Sequence, residues 1–479
     1  MLNAADAILA QNLSDAGFPV KPATPNYLED PRGIDQGISQ FVATPANTEE
    51  TANIVKACAS ACVGILPYGG GTGLVSGQIA TQGPAPLLLS LEKMNRIRAV
   101  HIAEDIMIAE AGCILSDLHN AAEKENRLFP LIYASKDSAR LGGGLAVNSG
   151  GLNVLRYGMA RDLCLGLEAV MPDGSIFNGL KRLRKDNTGY DLRHLLIGSE
   201  GTLGIITAAA LKLAPKPSKT GTAFLTVPSP EAALNLLGLA KHIAGETISA
   251  FELIAKQGLE FLTETLPDVR QPFVDPPDWS VLIELGTGEA LDPDALLTTL
   301  FEQGLDKGLI LDGIISQSGQ QRDAFWAVRE MIPEANRRVH ALISTDISLP
   351  LSEIPAFFAE APPAIQAEIP FRINGFGHLG DGNLHFNVYA PKGEKREDYL
   401  DHSVNLFRLI HDMVMSKGGS FSAEHGLGRR KAGELQRYAD PTKLATMRAI
   451  KNAIDPLGIM NPGAVLTDTT ALSEQDRTE

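Results

Sequence analysis

The 479-residue chain is 44% hydrophobic and 21% charged, as soluble globular proteins commonly are. At about 100–200 residues per domain, this length predicts two or three domains, each with its own core. A net charge of −15 disfavours nucleic acid or an anionic membrane surface as partner, since both are negative. A small anion stays open as a ligand, because His, Arg and a metal can reverse the field inside one cleft.

Met1 to Gly17 holds two aspartates and neither Arg nor Lys, so nothing there reads as a signal or transit peptide. No run approaches ~18 uninterrupted apolar residues, the length of a spanning helix. The expectation is a cytoplasmic protein, with loose membrane association only through an electron acceptor. Cys58, Cys62, Cys113 and Cys164 form no CxxC pair. Cys58 and Cys62 continue an apolar helical stripe with Ile54 and Val55, which predicts core packing.

From about residue 45 helix and strand patterns alternate. Thr48-Glu49-Glu50 predicts a helix start with a capping hydroxyl, running to about Cys62. A strand from Val63 to Pro67 follows and ends in Gly69-Gly70-Gly71-Thr72-Gly73-Leu74-Val75-Ser76-Gly77. Such a loop can aim several backbone N–H groups at one pyrophosphate. Gly71-x-Gly73 also imitates a dinucleotide fingerprint, but Gln78 to Pro84 is a poor helix and a GKS lysine is missing. Leu87–Leu91 and Met107–Ala111 read as strands. A second glycine-rich passage runs from Gly142 to Gly158, and a third from Gly198 to Gly204. Three glycine-rich turns within ~140 residues suggest one ligand approached by several backbone segments.

The stretch 212–218 (KLAPKPS) reads as a boundary. Beyond it, strand patterns at Gly221–Val227 and Trp279–Leu285 alternate with helical ones such as Pro230–Ile243. Later, His378 and His385 stand seven apart and would face opposite ways on one straight strand. Gly380-Asp381-Gly382-Asn383 between them is turn chemistry, and a bend there would bring both imidazoles to one side. His385 and Asn387 would share a face, with Phe386 and Val388 pointing into the core. With Glu424 from the Ser422–Gly428 segment as a third group, two histidines and a carboxylate suit Zn²⁺ or a similar divalent ion; otherwise the histidines simply hydrogen-bond within a turn-rich loop.

In order, the loop GGGTGL (70–74 and its preceding glycine), the segment Leu141-Gly142-Gly143-Gly144-Leu145-Ala146-Val147-Asn148-Ser149-Gly150-Gly151 with Tyr157-Gly158, and Gly198-Ser199-Glu200-Gly201-Thr202-Leu203-Gly204-Ile205-Ile206-Thr207 resemble the vanillyl-alcohol oxidase/PCMH flavoprotein superfamily. The branch is that of D-lactate and D-2-hydroxyglutarate dehydrogenases, which also carries GHxGDGNxH and EHG elements. The resemblance covers nearly the whole chain. It implies an α+β fold: a PCMH-type FAD-binding domain of two α/β subdomains at 1–217, and a substrate-binding and catalytic cap domain with an antiparallel sheet flanked by helices at 218–455. Residues 456–479 would return to the FAD domain and end in a disordered tail.

The same resemblance implies FAD along Pro67, Gly69, Gly70, Gly71, Thr72, Gly73, Leu74 and Ser76, with the pyrophosphate at the glycines. Gly142, Gly143, Asn148, Gly151, Glu200, Gly201, Gly204, Ile205, Ile206 and Asn461 would line the rest. Residues 67–78 contain no His or Cys, so FAD is expected to be noncovalent. His378, His385 and Glu424 would hold a divalent metal, Zn²⁺ first and Mn²⁺ as the alternative. His425 would be the general base, Arg329 the partner of the substrate carboxylate, and Asn387 a positioning group. The implied reaction oxidises a small D-2-hydroxy acid and passes electrons to a quinone, a cytochrome or an electron-transferring flavoprotein; a homodimer is compatible.

Two departures bear on the substrate. The hydroxyglutarate branch carries K-x-D-x-S-x-P where this chain has Ser344 in the lysine position, and Pro333 stands where a threonine is usual. A buried distal carboxylate without a cation would be costly, which favours D-lactate or a similar monocarboxylic acid over D-2-hydroxyglutarate or D-malate. Outside the family, a nicotinamide dehydrogenase lacks the required helix after its loop. A metal-dependent hydrolase leaves the glycine segments unexplained, and a non-catalytic flavin-binding or scaffold protein makes no use of Arg329 and His425.

Overall fold

The computed structural model describes residues 1–467; the tail expected to be disordered lies, from residue 468 on, outside the described residues. The chain forms two compact units. Among the described residues, one comprises 1–151, 157–216 and 424–467, the other 152–156 and 217–423. The chain thus re-enters the first unit at Glu424, ahead of the expected 456.

Among the described residues, the first unit contains two larger sheets and a two-stranded pair of Arg127–Leu128 with Ala214–Pro215. Strands β1 (Val20–Pro22), β2 (Phe41–Ala43), β3 (Ile65–Tyr68) and β4 (Leu87–Ser90) make a mixed sheet in the order β1-β2-β4-β3, in which β4 runs parallel to both β2 and β3 and β1 antiparallel to β2. Strands β5 (Ile97–His101), β6 (Ile106–Glu110), β7 (Cys164–Val170), β8 (Ile176–Gly179) and β9 (Ile205–Lys212) make an antiparallel sheet in the order β5-β6-β9-β7-β8.

Helix α1 (Thr48–Ser60) buries Ala52, Ile54, Val55 and Cys58 in the core of the mixed sheet, the periodic stripe expected of an amphipathic helix. Its cap differs from expectation. Asn47, in extended backbone one residue earlier, accepts from the Glu50 N–H, as a cap oxygen must to reach the third helical amide. Thr48 instead donates to Glu168 at 2.6 Å. Cys62 lies beyond the helix at positive φ, so only Cys58 joins the stripe.

The second unit is built on a seven-stranded antiparallel sheet. Its strands are β10 (Lys219–Val227), β11 (Ile248–Ala255), β12 (Trp279–Thr287), β13 (Asp312–Ile315), β14 (Ile343–Ser348), β15 (Arg372–His378) and β16 (Asn383–Tyr389). Their order is β13-β10-β12-β11-β15-β16-β14. One face packs on the helix Pro230–Ala244 and its neighbours through Phe251, Leu253, Phe386 and Val388. The other carries α2 (Lys256–Thr265) and α3 (Gly319–Val339) on Ile254, Phe376 and Tyr389. Side chains alternate between these faces, so the period-2 pattern decides which residues meet α3.

In the first unit, Arg98 donates to Glu110 and Glu168 at 3.2 and 3.0 Å, and Arg96 to Glu110 at 3.0 Å. Burial alone would raise both carboxyls; hydrogen bonds from Arg96 and Arg98 hold Glu110 low, and those from Arg98, Thr48 and Thr207 hold Glu168 low. A carboxyl depressed by folding stabilises the fold above its unfolded pKa and loses that contribution as pH falls through its folded value. Arg98→Met is therefore expected to cost roughly 1–3 kcal/mol at pH 7. In thermal unfolding the deficit should narrow as the pH drops below about 4; equal melting temperatures at pH 7 would contradict this.

Candidate active site

The expected site residues fall into two groups, one in each unit. In the first unit, β3 runs directly into the first glycine loop. A Cβ on Gly70 would lie 2.2 Å from the Ser138 carbonyl, and one on Gly69 would lie 3.4 Å from the Cα of Gly143. One on Gly201 would lie 2.9 Å from Pro67. The three glycine segments therefore meet at the end of β3, where side chains would keep the backbones apart. Gln78, which carries no motif signal, braces the loop by donating to the Gly73 carbonyl at 2.9 Å. No helix follows the loop.

The second glycine passage is not a turn throughout: Leu141–Ala146 is a short helix. Its glycines allow it to lie against β6, where a Cβ on Gly142 would meet that of Ala111 at 2.8 Å. Thr72 and Leu74 are half-buried in the first loop, while Ile205 and Ile206 bury their side chains in cores on opposite faces of β9. Gly151 takes φ +147 beneath the Ile132 carbonyl, and a Cβ on Gly204 would meet the Val170 carbonyl at 3.0 Å.

Several expected cofactor residues have their polar atoms engaged by the protein. Ser76 donates to Asp35 at 2.6 Å. Asn148 accepts from the Arg161 N–H at 2.9 Å. Asn461 donates to the carbonyls of Gly77 and Glu200 at 3.0 and 2.7 Å, tying the late segment to two loops. Buried Glu200 accepts from the N–H groups of Leu427 and Gly428 at 2.7 and 2.8 Å, and so anchors the turn that carries Glu424 and His425. Burial pushes its carboxyl above the usual range, against the lowering by those amides. In that turn His425 Nε2 lies 3.8 Å from Glu424 Oε1. Tyr133, which the sequence did not single out, is held high at about 12 by burial and senses the Glu424 charge.

In the second unit β15 and β16 form a tight hairpin through Gly382, at φ +88. His378 pairs with Asn383, Phe376 with His385, and Asn374 with Asn387. The bend brings both imidazoles to one face, ring centroids 5.8 Å apart and nearly perpendicular, as expected. Phe386 and Val388 point into the opposite core. In the turn, burial pushes the Asp381 carboxyl up to about 6 despite His378 and the Asn383 N–H. Asp346, on β14 opposite His385, accepts from Asn383 at 3.0 Å.

The residue that sequence reasoning missed is Glu252 on β11. Its two oxygens engage His378 Nδ1 at 2.6 Å and Arg329 Nε at 2.7 Å, and all three side chains are buried. Burial alone would raise its carboxyl, but the charges of His378 and Arg329 hold it at about 2. Arg329 also lies 5.0 Å over the Phe376 ring. A glutamate more than seventy residues before the arginine leaves no local motif; only the alternation of β11 hints that it faces α3.

Glu200→Ala should loosen the 424–428 turn. Amide exchange at Leu427 and Gly428 is expected to speed up by about five- to 150-fold, the effect of losing roughly 1–3 kcal/mol of hydrogen bonding. Unaltered exchange at both amides would remove Glu200 from that role.

Residues 39–179 match the family described as FAD binding domain, and residues 216–465 match FAD linked oxidases, C-terminal domain. The chain is 37% identical over 433 residues to the mitochondrial D-2-hydroxyglutarate dehydrogenase of Arabidopsis thaliana, covering 90% of this chain and 76% of that protein. It is 36% identical over 447 residues to the Bos taurus mitochondrial enzyme of that name, covering 92% and 80%. It is 34% identical over 423 residues to the D-2-hydroxyglutarate dehydrogenase of Xanthomonas citri pv. viticola, covering 88% of each. Among solved structures, p-cresol methylhydroxylase with substrate bound aligns with TM-score 0.74 at 16% identity, over 97% of each chain. An alkyldihydroxyacetonephosphate synthase aligns with TM-score 0.72 at 18% identity, over 96% of this chain and 85% of that one. At such identities these two establish the fold alone.

Proposed function

We infer the reaction from one premise: the chain belongs to the D-lactate and D-2-hydroxyglutarate dehydrogenase family of VAO/PCMH flavoproteins, and is an FAD-dependent D-2-hydroxy-acid dehydrogenase. The substrate we propose is D-2-hydroxyglutarate, since the relatives at 34–37% identity that span most of the chain bear that name. D-lactate, the substrate the sequence favours, stays as the second reading because Ser344 and Pro333 replace the expected lysine and threonine.

The observation that carries the proposal is the buried series His378–Glu252–Arg329. A carboxylate on Nδ1 is the outer partner that metal-ligating histidines usually have, so Nε2 is the nitrogen by which His378 would meet a metal. His385, 5.8 Å away centroid to centroid, suits a second imidazole ligand, and Glu424 is the proposed third. Two imidazoles and a carboxylate fit Zn²⁺, with Mn²⁺ as the alternative. When bound, FAD accepts hydride from substrate C2 and the metal polarises the substrate oxygens.

The chain's own residues do the rest. Arg329, its Nε fixed by Glu252, turns the remainder of its planar fork to the C1 carboxylate. Asn387 orients the substrate on the face of β16 that also carries His385. His425 takes the C2 hydroxyl proton onto a neutral imidazole, which suits a pH near 7. The glycine segments hold FAD noncovalently, and a quinone, cytochrome or electron-transferring flavoprotein takes the electrons onward. No helix among the described residues is long and apolar enough to cross a membrane. The names of several relatives carry the word mitochondrial, so a cytoplasmic location rests on the sequence reading alone.

Anaerobic mixing with D-2-hydroxyglutarate, D-lactate and D-malate should bleach the flavin, fastest with the first; a flavin that none of them bleaches would defeat the proposal. In His425→Ala, bleaching should slow by about 10²–10⁴ with FAD retained, the usual worth of a general base. His385→Ala or chelation should lower activity at least about tenfold. Indifference to both would exclude metal assistance.

A further inference from the structure

The five-stranded sheet of the first unit ends at its edge strand β8, and residues 180–191 after it form neither helix nor strand. Residues 183–192 are all exposed, with Leu183 at 55%, Tyr190 at 98% and Leu192 at 42%. Their charge opposes that of the chain as a whole. Residues 180–195 hold five cations, Lys181, Arg182, Arg184, Lys185 and Arg193, against Asp186 and Asp191, in a chain of net charge −15. Both acids are occupied within the segment. Asp186 accepts from Lys181 at 2.6 Å and from the Thr188 N–H at 3.2 Å, and Asp191 from Arg193 at 2.6 Å and the His194 N–H at 3.1 Å. Arg182 pairs with Glu104 at 3.3 Å. Arg184 and Lys185 stay exposed and without an ion pair among the described residues.

The elements that this loop joins line an apolar cleft of about 290 Å³. Strand β8 contributes Ile176 and Phe177, the short helix Leu192–Leu196 contributes Leu192 and Leu195, and the helix Pro441–Ile454 contributes Ile454. Only Ser175 in the lining is polar. Met171 and Leu196, which also line the cleft, back onto the third glycine segment. A Cβ on Gly204 would lie 3.2 Å from Leu196 Cδ2 and 3.6 Å from Met171 Sδ. One layer of side chains therefore separates the cleft from a segment proposed to hold FAD. The volume falls at the foot of the ~300–1,000 Å³ range of small-molecule pockets, and no set of polar groups converges on it, so a metabolite finds little to recognise. One large apolar side chain suits it better. A cleft for an apolar anchor, rimmed by cations and a projecting tyrosine, is the anatomy of a protein interface. A lipid surface would instead demand projecting apolar groups, whereas a cleft receives a projection from its partner.

We propose that this loop and cleft are the docking surface for the protein that takes electrons from the reduced enzyme. The partner presents an acidic segment with one projecting apolar side chain. That side chain enters the cleft, and the acids face Arg184 and Lys185, where opposite charge speeds encounter and fixes orientation. The partner gains two electrons on its own flavin or haem as FAD is regenerated, and the flavin N5 proton passes to water. This rests on reading the chain as a flavin dehydrogenase, and it selects a protein with an acidic face among the acceptors open to such an enzyme.

The test compares Arg184→Glu/Lys185→Glu and Leu192→Glu holoenzymes with the unaltered one. These positions are exposed, and an acid at 192 falls in the first turn of its helix, where negative charge is favoured, so folding is not threatened. Each enzyme is photoreduced, so that no substrate is needed. Reoxidation is timed with an electron-transferring flavoprotein and with dichlorophenolindophenol, a small dye that needs no docking surface. Calorimetry gives the Kd of the oxidised flavoprotein separately. The expected result is a fall of at least about tenfold in the flavoprotein rate of both variants, a matching rise in Kd, and an unchanged rate with the dye. Added salt should slow the flavoprotein reaction of the unaltered enzyme, and less so that of Arg184→Glu/Lys185→Glu. Unchanged rate and Kd in both variants would overturn the proposal, as would a flavoprotein that does not reoxidise the unaltered enzyme. Sedimentation with phosphatidylglycerol vesicles that the charge reversal abolishes would give the surface to a membrane, and a dimer that Leu192→Glu splits would give it to a second copy; either overturns it. If no 2-hydroxy acid bleaches the unaltered flavin while the variants still lose the flavoprotein, the reaction assignment fails and the docking surface stands.

Discussion

The second unit is organised by one carboxylate shared between an imidazole and a guanidinium. Glu252 is wholly buried, and an isolated charge there would be strongly disfavoured. With His378 on one oxygen and Arg329 on the other, it becomes the fixed point from which both side chains are aimed. Removing any member would strand a buried charge, so the three act as one unit. The strands β11 and β15 and the helix α3 must therefore keep their mutual register for the site face to exist. The stacking of Arg329 on Phe376 and the pairing of Phe376 with His385 extend the same constraint to the second imidazole.

The first unit solves a different problem by related means. Its glycine segments approach too closely to carry side chains, and a bare backbone has little to pack with. Polar side chains supply the cohesion. Asn461 bridges the carbonyls of Gly77 and Glu200, and Arg429 reaches the carbonyls of Ser76, Gly77 and Pro462. The Glu200 carboxylate holds the turn at 427–428. The late segment is thus bound to the loops mainly by hydrogen bonds, which fix direction as well as distance. Burial lowers Arg429 to about 10, a cost set against the four acceptors around it.

Much of this was legible in the chain. The glycine clusters, the turn at Gly380–Asn383 and the alternation from His385 to Val388 act over a few residues, so composition and period determine them; hence the hairpin and the shared face of the two histidines appeared as expected. The cap of α1 was misassigned by one residue, because Asn47 and Thr48 can both cap and only the backbone turn before the helix decides between them. The helix at Leu141–Ala146 was hidden by its glycines, whose low helical propensity is overridden by close packing on Ala111.

By itself, the sequence determined the family, the α+β class and the residue types of the chemistry, since these rest on local motifs read in order. Only the tertiary structure decided which distant carboxylates meet these groups. Glu252 stands 126 residues from His378, and Glu200 more than 220 from the amides it binds. Nothing in the spacing of such pairs marks them. They meet because strand order and helix packing bring them within hydrogen-bond reach, and burial makes each contact obligatory.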